Sequence, residues 1–279
     1  TGAGNTAVGK GALTANTTAI NNTAVGFGSG DAITTGRYNS YFGIDAGTDT
    51  TTGEFNVGLG GYALQNVTTV SNLTAIGYAA MSENTSGTGN TACGYYGLFA
   101  NTTGASNTAV GANALDANTT ADDNTAVGYN ALTANTTGAS STAIGKDALI
   151  ANTTGNANVA VGVIALDANT TGADNTAIGT GALSTSTTVN NNTAVGRDTL
   201  RANTTGTENV AVGAYAGDAV TTATWATLIG SGAGGALTTG AQNTFIGGTS
   251  GDATTTGATN TGVGYGSLGS NTTASNNTA

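Results

Sequence analysis

Catalysis by a nucleophile, a proton relay or a metal needs particular side chains brought together, and this sequence is thin in them. It has no histidine, one cysteine, five basic residues and fifteen carboxylates among 279 residues. Without histidine there is no Ser–His or Cys–His pair and no imidazole metal site. What remains is a carboxylate pair of the glycosidase kind, and strands could bring Asp122 or Asp123 near Asp174. Solvated corner charge is the preferred reading of those acids. Cys93 stands where Val or Ile normally stands, so a small buried hydrophobe is preferred to a nucleophile. The stretches "GFGSG" and "GVGYGSLG" suggest nucleotide-binding glycines, but they are ordinary repeat glycines with no helix to follow. The expectation is a non-enzymatic chain with no catalytic, cofactor-binding or metal-ligating residues and no cofactor.

Composition narrows the partners. The net charge is −10 and only 7% of residues are charged. A phosphate backbone needs a basic stripe, so nucleic acid is not expected, and anionic lipid is disfavoured for the same reason. No apolar run approaches the roughly 18 residues of a membrane span, so no membrane insertion is expected. Glycine is abundant at 46 residues and proline is absent, a bias typical of repetitive or fibrous chains. A lone cysteine forms no internal disulfide.

The elements that would have to position any site are set by a repeat. The glycine of "AVG" recurs at Gly9, Gly26, Gly43, Gly60 and on to Gly264, always 17 residues apart. Residues 1–4 end a partial repeat, residues 5–276 hold sixteen full repeats, and residues 277–279 open another. A loop would absorb an insertion, and no insertion occurs. The expected fold is therefore all-β, a β-solenoid or β-roll with one repeat per coil. Sixteen coils at about 4.8 Å would make a rod about 75–80 Å long. The chain begins and ends inside a repeat, as a section of something longer would.

Numbering slots 1 to 17 from the Asn of "NTAVG", slot 4 is apolar, slot 5 is always Gly and slot 13 is always Thr in the sixteen repeats. Slot 2 is Thr, Ser or Val, and strand alternation then turns slots 2 and 4 inward together. Slot 3, usually Ala but also Tyr41, Leu228 and Phe245, would face outward toward a partner. Slot 9 is Leu or Met in eleven repeats, usually with Asn at slot 12. Where slot 9 is Gly, slot 12 becomes Ile33, Thr50, Val220, Leu237 or Thr254, which is volume compensation in one packed space. All charges fall in slots 6, 7, 10, 11, 16 or 17, which marks three corners between strand-like pieces at slots 1–4, 8–9 and 12–14. The "NTT" triplets at Asn16, Asn101, Asn118 and Asn135 are formal glycosylation acceptors, with a coil-to-coil amide ladder preferred. Slots 6 and 7 carry Phe27, Tyr62, Tyr78, Tyr95, Tyr96, Tyr129, Tyr215 and Tyr265. That aromatic edge suits a sugar or partner chain and equally suits corner packing.

"NTAVG…AL" and "NTAIGTGAL" resemble the head repeats of trimeric autotransporter adhesins, which are trimers of β-rolls. "NTAVGYNALTANTTGAS" resembles still more the shaft repeats of bacterial and phage fibre proteins. The resemblance covers essentially the whole chain, although the adhesin-head repeat is typically shorter. It implies a homotrimeric fibre, extracellular, on a cell surface or on a virion, that projects or mediates adhesion. Self-association, with a cell-surface or glycan receptor as a further partner, is the corresponding expectation. Direct adhesion through the Tyr edge and ice binding through Thr columns are the alternatives.

Overall fold

The computed structural model describes residues 2–279. The chain is an all-β solenoid with the expected period. Each repeat contributes one strand of three residues, in slots 2–4, from Thr6–Val8 to Thr261–Val263. Two compact units divide the chain, one ending at Ala139 and the other beginning at Ser140. Within each unit neighbouring strands pair in parallel and in register, as in Thr91↔Thr108, Ala92↔Ala109 and Cys93↔Val110. In the second unit Thr176 pairs with Thr193 in the same way.

The strand is short because slot 5 ends it. Gly111 has φ +138, a backbone conformation that side chains rarely adopt. A methyl group there would also lie 2.4 Å from the carbonyl oxygen of Gly128, the same slot one coil on. Both constraints recur at each internal slot-5 glycine whose surroundings are resolved, so the slot accepts nothing else. Slots 6–11 then run as turns, and slots 13, 14 and 17 as bends. The expected strand-like pieces at slots 8–9 and 12–14 are thus turn and bend, and one sheet, not three, forms each coil's regular structure.

The inside and outside of that sheet are the reverse of expectation. Slot 3 is buried and slots 2 and 4 face outward. Ala24, Ala92, Ala177, Tyr41, Leu228 and Phe245 are fully buried, while Val110 is 38% and Ile178 39% exposed. The reason lies across the coil. Slots 8 and 9 both turn inward, which a straight strand cannot do, because slot 9 takes a left-handed conformation: Leu115 has φ 53 and is fully buried beside Ala114. That conformation costs a leucine about 1–2 kcal/mol, and its burial returns about 1.5–3 kcal/mol. With Leu filling the lumen, only Ala or Gly fits at slot 3.

The volume compensation therefore has three members. In three of the five coils where slot 9 is Gly, slot 3 enlarges to Tyr41, Leu228 or Phe245; in the other two it stays Ala24 or Ala211, and slot 12 supplies the buried Ile33 or Val220. A methyl on Gly47 would sit 2.5 Å from the Tyr41 ring, and one on Gly251 2.5 Å from Phe245. Slot 12 completes the set, since the buried Tyr41 hydroxyl meets Thr50 Oγ1 at 3.0 Å. Burial pushes the Tyr41 phenol up to about 12.

Two columns of buried asparagine close each coil and join it to the next. At slot 1, Asn107 Nδ2 donates to the Ala121 carbonyl of its own coil at 2.8 Å, and its Oδ1 accepts from the Asn124 backbone N–H at 2.9 Å. At slot 12, Asn118 Nδ2 donates to that same Ala121 carbonyl at 3.1 Å and to Asn101 Oδ1 at 2.9 Å. Both amides thus converge on the slot-15 carbonyl. Slot 13 adds a third ladder: the Thr102 hydroxyl donates to the Thr119 carbonyl at 3.0 Å.

Two predictions follow from these contacts. Gly111→Ala lowers the melting temperature sharply, whereas Gly97→Ala, at a slot usually held by Ala and with its nearest neighbour 3.5 Å away, leaves it unchanged or raises it. Equal effects in a thermal melt would contradict this account of slot 5. The slot-12 ladder breaks at Ser186, whose hydroxyl donates instead to the Asn203 carbonyl at 2.8 Å, leaving Asn169 Oδ1 buried without a partner. Ser186→Asn supplies the missing donor, so chemical denaturation should show a gain of about 0.5–1.5 kcal/mol.

Candidate functional site

With slot 4 facing out, each coil presents one β-branched or bulky apolar side chain on the sheet's outer face. Phe42, Leu59, Ile76 and Val110 form such a stripe in the first unit, and Ile144, Ile178, Val212, Ile229 and Ile246 in the second. Slot 2, mostly Thr, lies alongside and is mostly half-buried. In-register pairing repeats these side chains about every 4.8 Å. Cys93 belongs to this stripe. It is half-buried on the outer face, not the core residue expected, because slot 3 and not slot 4 turns into the lumen.

The slot-12 asparagines of the formal glycosylation triplets are closed off. Asn101, Asn118 and Asn135 are fully buried, with Nδ2 donating at 2.7–3.0 Å to the preceding asparagine's Oδ1. Asn16, near the start of the chain, is half-buried. The slot-13 hydroxyls point along the ladder and not out as a flat array.

The aromatic edge breaks into separate groups. Phe27 sits under the Lys10 ammonium at 5.9 Å and Tyr215 under the Arg197 guanidinium at 5.5 Å. Tyr129 and Tyr265 stand exposed. Tyr62, Tyr78, Tyr95 and Tyr96 instead gather, and Phe99 from slot 10 joins them. Tyr78 stacks on Tyr95 with centroids 5.7 Å apart and planes 16° apart. It stands at 82° to Tyr62 and 78° to Tyr96, with centroids at 5.5 and 5.8 Å. Tyr96 meets Phe99 at 87° and 4.8 Å. All of these rings but Tyr95 line a groove of about 270 Å³. Its origin is local. The coil of residues 73–89 has the small Ala79 and Ser82 in slots 7 and 10, between Tyr62 and Gln65 in the coil before and Tyr96 and Phe99 in the coil after. Tyr78 and Glu83 complete the lining. A second stack, Tyr38 on Phe55 at 5.1 Å and 7°, runs along slot 17. Trp225, also in slot 17, donates through its indole N–H to Glu208 of the preceding coil.

The acids are distributed as corner groups. Asp122 Oδ1 accepts from the Ala105 N–H at 2.7 Å, which ties it to the preceding coil. Of the opposite charges one coil apart, Arg37 and Glu54 pair at 2.8 Å. Among the described residues no cluster of three or more His, Cys, Asp or Glu side chains is placed to hold a metal ion. Four slot-10 aspartates share one perturbation: burial holds Asp31, Asp116, Asp167 and Asp218 above the ordinary value of 3.8. At Asp218 the Arg201 cation opposes the shift, and at Asp167 the neighbouring Asp147 adds to it.

No known protein-family model matches the chain, and no curated protein is similar enough to it in sequence to count as a relative.

The sign of the pH dependence follows. A carboxyl whose folded pKa is raised binds more protons folded than unfolded between the two pKa values. These four groups therefore favour the fold most below about pH 3.8, and their contribution declines as pH rises through their elevated folded values. Asp167→Asn, which removes the charge from a carboxylate with one buried and unpartnered oxygen, should raise the melting temperature at pH 7 and flatten its fall between pH 4 and pH 7. A fall at pH 7 would contradict the assignment.

Proposed function

We propose that this chain is a structural, non-enzymatic segment of an extracellular or virion fibre, a stiff spacer that projects or mediates adhesion, and that copies of it associate side by side. The observation that carries this reading is the outer stripe of slot 4. An in-register column of Val, Ile, Leu and Phe facing water is a large apolar surface for a chain of this size. Burying it against the same stripe of another copy satisfies it with no new chemistry, and every coil contributes equally. The absence of lysine, arginine and acidic residues from slots 2 and 4 removes the charge repulsion that would oppose such packing. A homotrimer is the arrangement that the resemblance to fibre-shaft repeats implies. The ladders support the mechanical half of the proposal, because each coil is held to the next through backbone, Asn amides and Thr hydroxyls together.

Sedimentation of the purified protein tests this. The parent chain should run as a discrete oligomer, and the double variant Val110→Asp, Ile178→Asp as a monomer with unchanged circular dichroism. Cys93 serves as an internal reporter: slow to react with a thiol reagent in the oligomer, fast in the double variant. A monomeric parent with a freely reactive Cys93 would contradict the proposal.

A further inference from the structure

The aromatic groove of residues 62–99 has a geometry that corner packing does not require. Rings that merely cover a corner lie along it, as Tyr38 and Phe55 do with planes 7° apart. Here Tyr78 forms a back wall, and Tyr62 and Tyr96 stand close to perpendicular to it, at 82° and 78°. The opposing walls come from coils two steps apart, about 9.6 Å at the sheet spacing. Small side chains at Ala79 and Ser82 keep the space between them open.

The electrostatics point one way. Ring faces carry negative potential, and Glu83 adds a formal charge at the groove. One of its oxygens accepts from Asn66 Nδ2 at 2.9 Å, which holds the carboxylate in place without neutralising it. No lysine or arginine occurs between Arg37 and Lys146, whereas seven acids do. Two other rings of the same corner are met by an intramolecular cation, Phe27 by Lys10 and Tyr215 by Arg197. Among the described residues no such cation stands over the rings of the groove.

We infer that this groove is a binding site for a quaternary ammonium group, held by the faces of Tyr62, Tyr78 and Tyr96 and by the charge of Glu83. Methylated ammonium suits it better than a bare one, because the methyl groups shed water readily and fill space between apolar walls. Anionic ligands are repelled by Glu83 and by the net charge. The inference does not rest on the fibre proposal, since all the residues lie on one chain.

The test is calorimetric titration of the full chain with choline, with its neutral carbon isostere 3,3-dimethylbutanol, with Nε-trimethyl-lysine and with a panel of neutral hexoses. Choline or trimethyl-lysine should bind saturably, and the isostere about tenfold more weakly. Whichever cation binds more tightly separates a choline-type headgroup from a methylated side chain as the source. Tyr78→Leu should abolish binding, and the nearly isosteric Glu83→Gln should weaken it several-fold without changing the melting profile. Tyr129→Leu, outside the groove, should leave it unchanged. Equal affinity for choline and its isostere, no saturable binding of either cation, or hexose binding in their place would overturn the inference.

Discussion

The fold depends on where each coil's slot-15 carbonyl finds its donors. Coils this narrow leave little room for an apolar core, and slot 15 lies outside the three-residue strand. Its carbonyl would be left without a partner at the point where the chain turns back toward slot 1. Two asparagine amides reach it, one from the start of the coil and one from three residues before. Their own oxygens and remaining protons continue to the next coil and the last. Because buried unpaired polar groups are costly, this arrangement fixes both the closure of one coil and its register on its neighbour. A period of 17 with no insertion is the sequence-level trace of that requirement.

The amide columns also explain why the lumen is shared as it is. With slots 1 and 12 given to asparagine, space remains for one large apolar side chain per coil. In most coils that is Leu or Met in the left-handed conformation at slot 9. In the five coils with Gly at slot 9 it comes from the strand, as Tyr41, Leu228 or Phe245, or from slot 12, as Ile33 or Val220. The strand's remaining apolar residue, at slot 4, has no place inside. The apolar outer stripe is thus a consequence of how the lumen is filled, and it is the surface through which we propose that the chain associates.

The repeat, the all-β solenoid and the joint variation of slots 9 and 12 were legible in the sequence because an uninterrupted period and a volume exchange survive without coordinates. So was the amide ladder at slot 12, from Asn recurring beside invariant Thr. The facing of the strand was not. Alternation says that slots 2 and 4 share a side, and their apolar and β-branched character suggested the inner one. The opposite assignment needed the knowledge that slot 9 takes a left-handed turn and fills the lumen. The clue was present in Tyr41, Leu228 and Phe245, each of which shares its coil with a slot-9 Gly. Nothing in the sequence marks slot 1 as a second amide column, because an Asn at a strand's edge is ordinary. The groove was half visible: the tyrosines of slots 6 and 7 stood out, but Phe99, Glu83 and the small Ala79 and Ser82 matter only once neighbouring coils are laid side by side.

An image reconstruction of the assembled chain by electron cryomicroscopy tests the central claim most directly, that the lumen is filled from slots 3 and 9 while slot 4 is left for association. The account predicts density in which Val110 and its slot-4 neighbours lie at the contact between copies, with Ala109 and Leu115 inside each coil. Density with slot 4 inside the coil, or with slot 4 facing solvent while another face makes the contact, would contradict it.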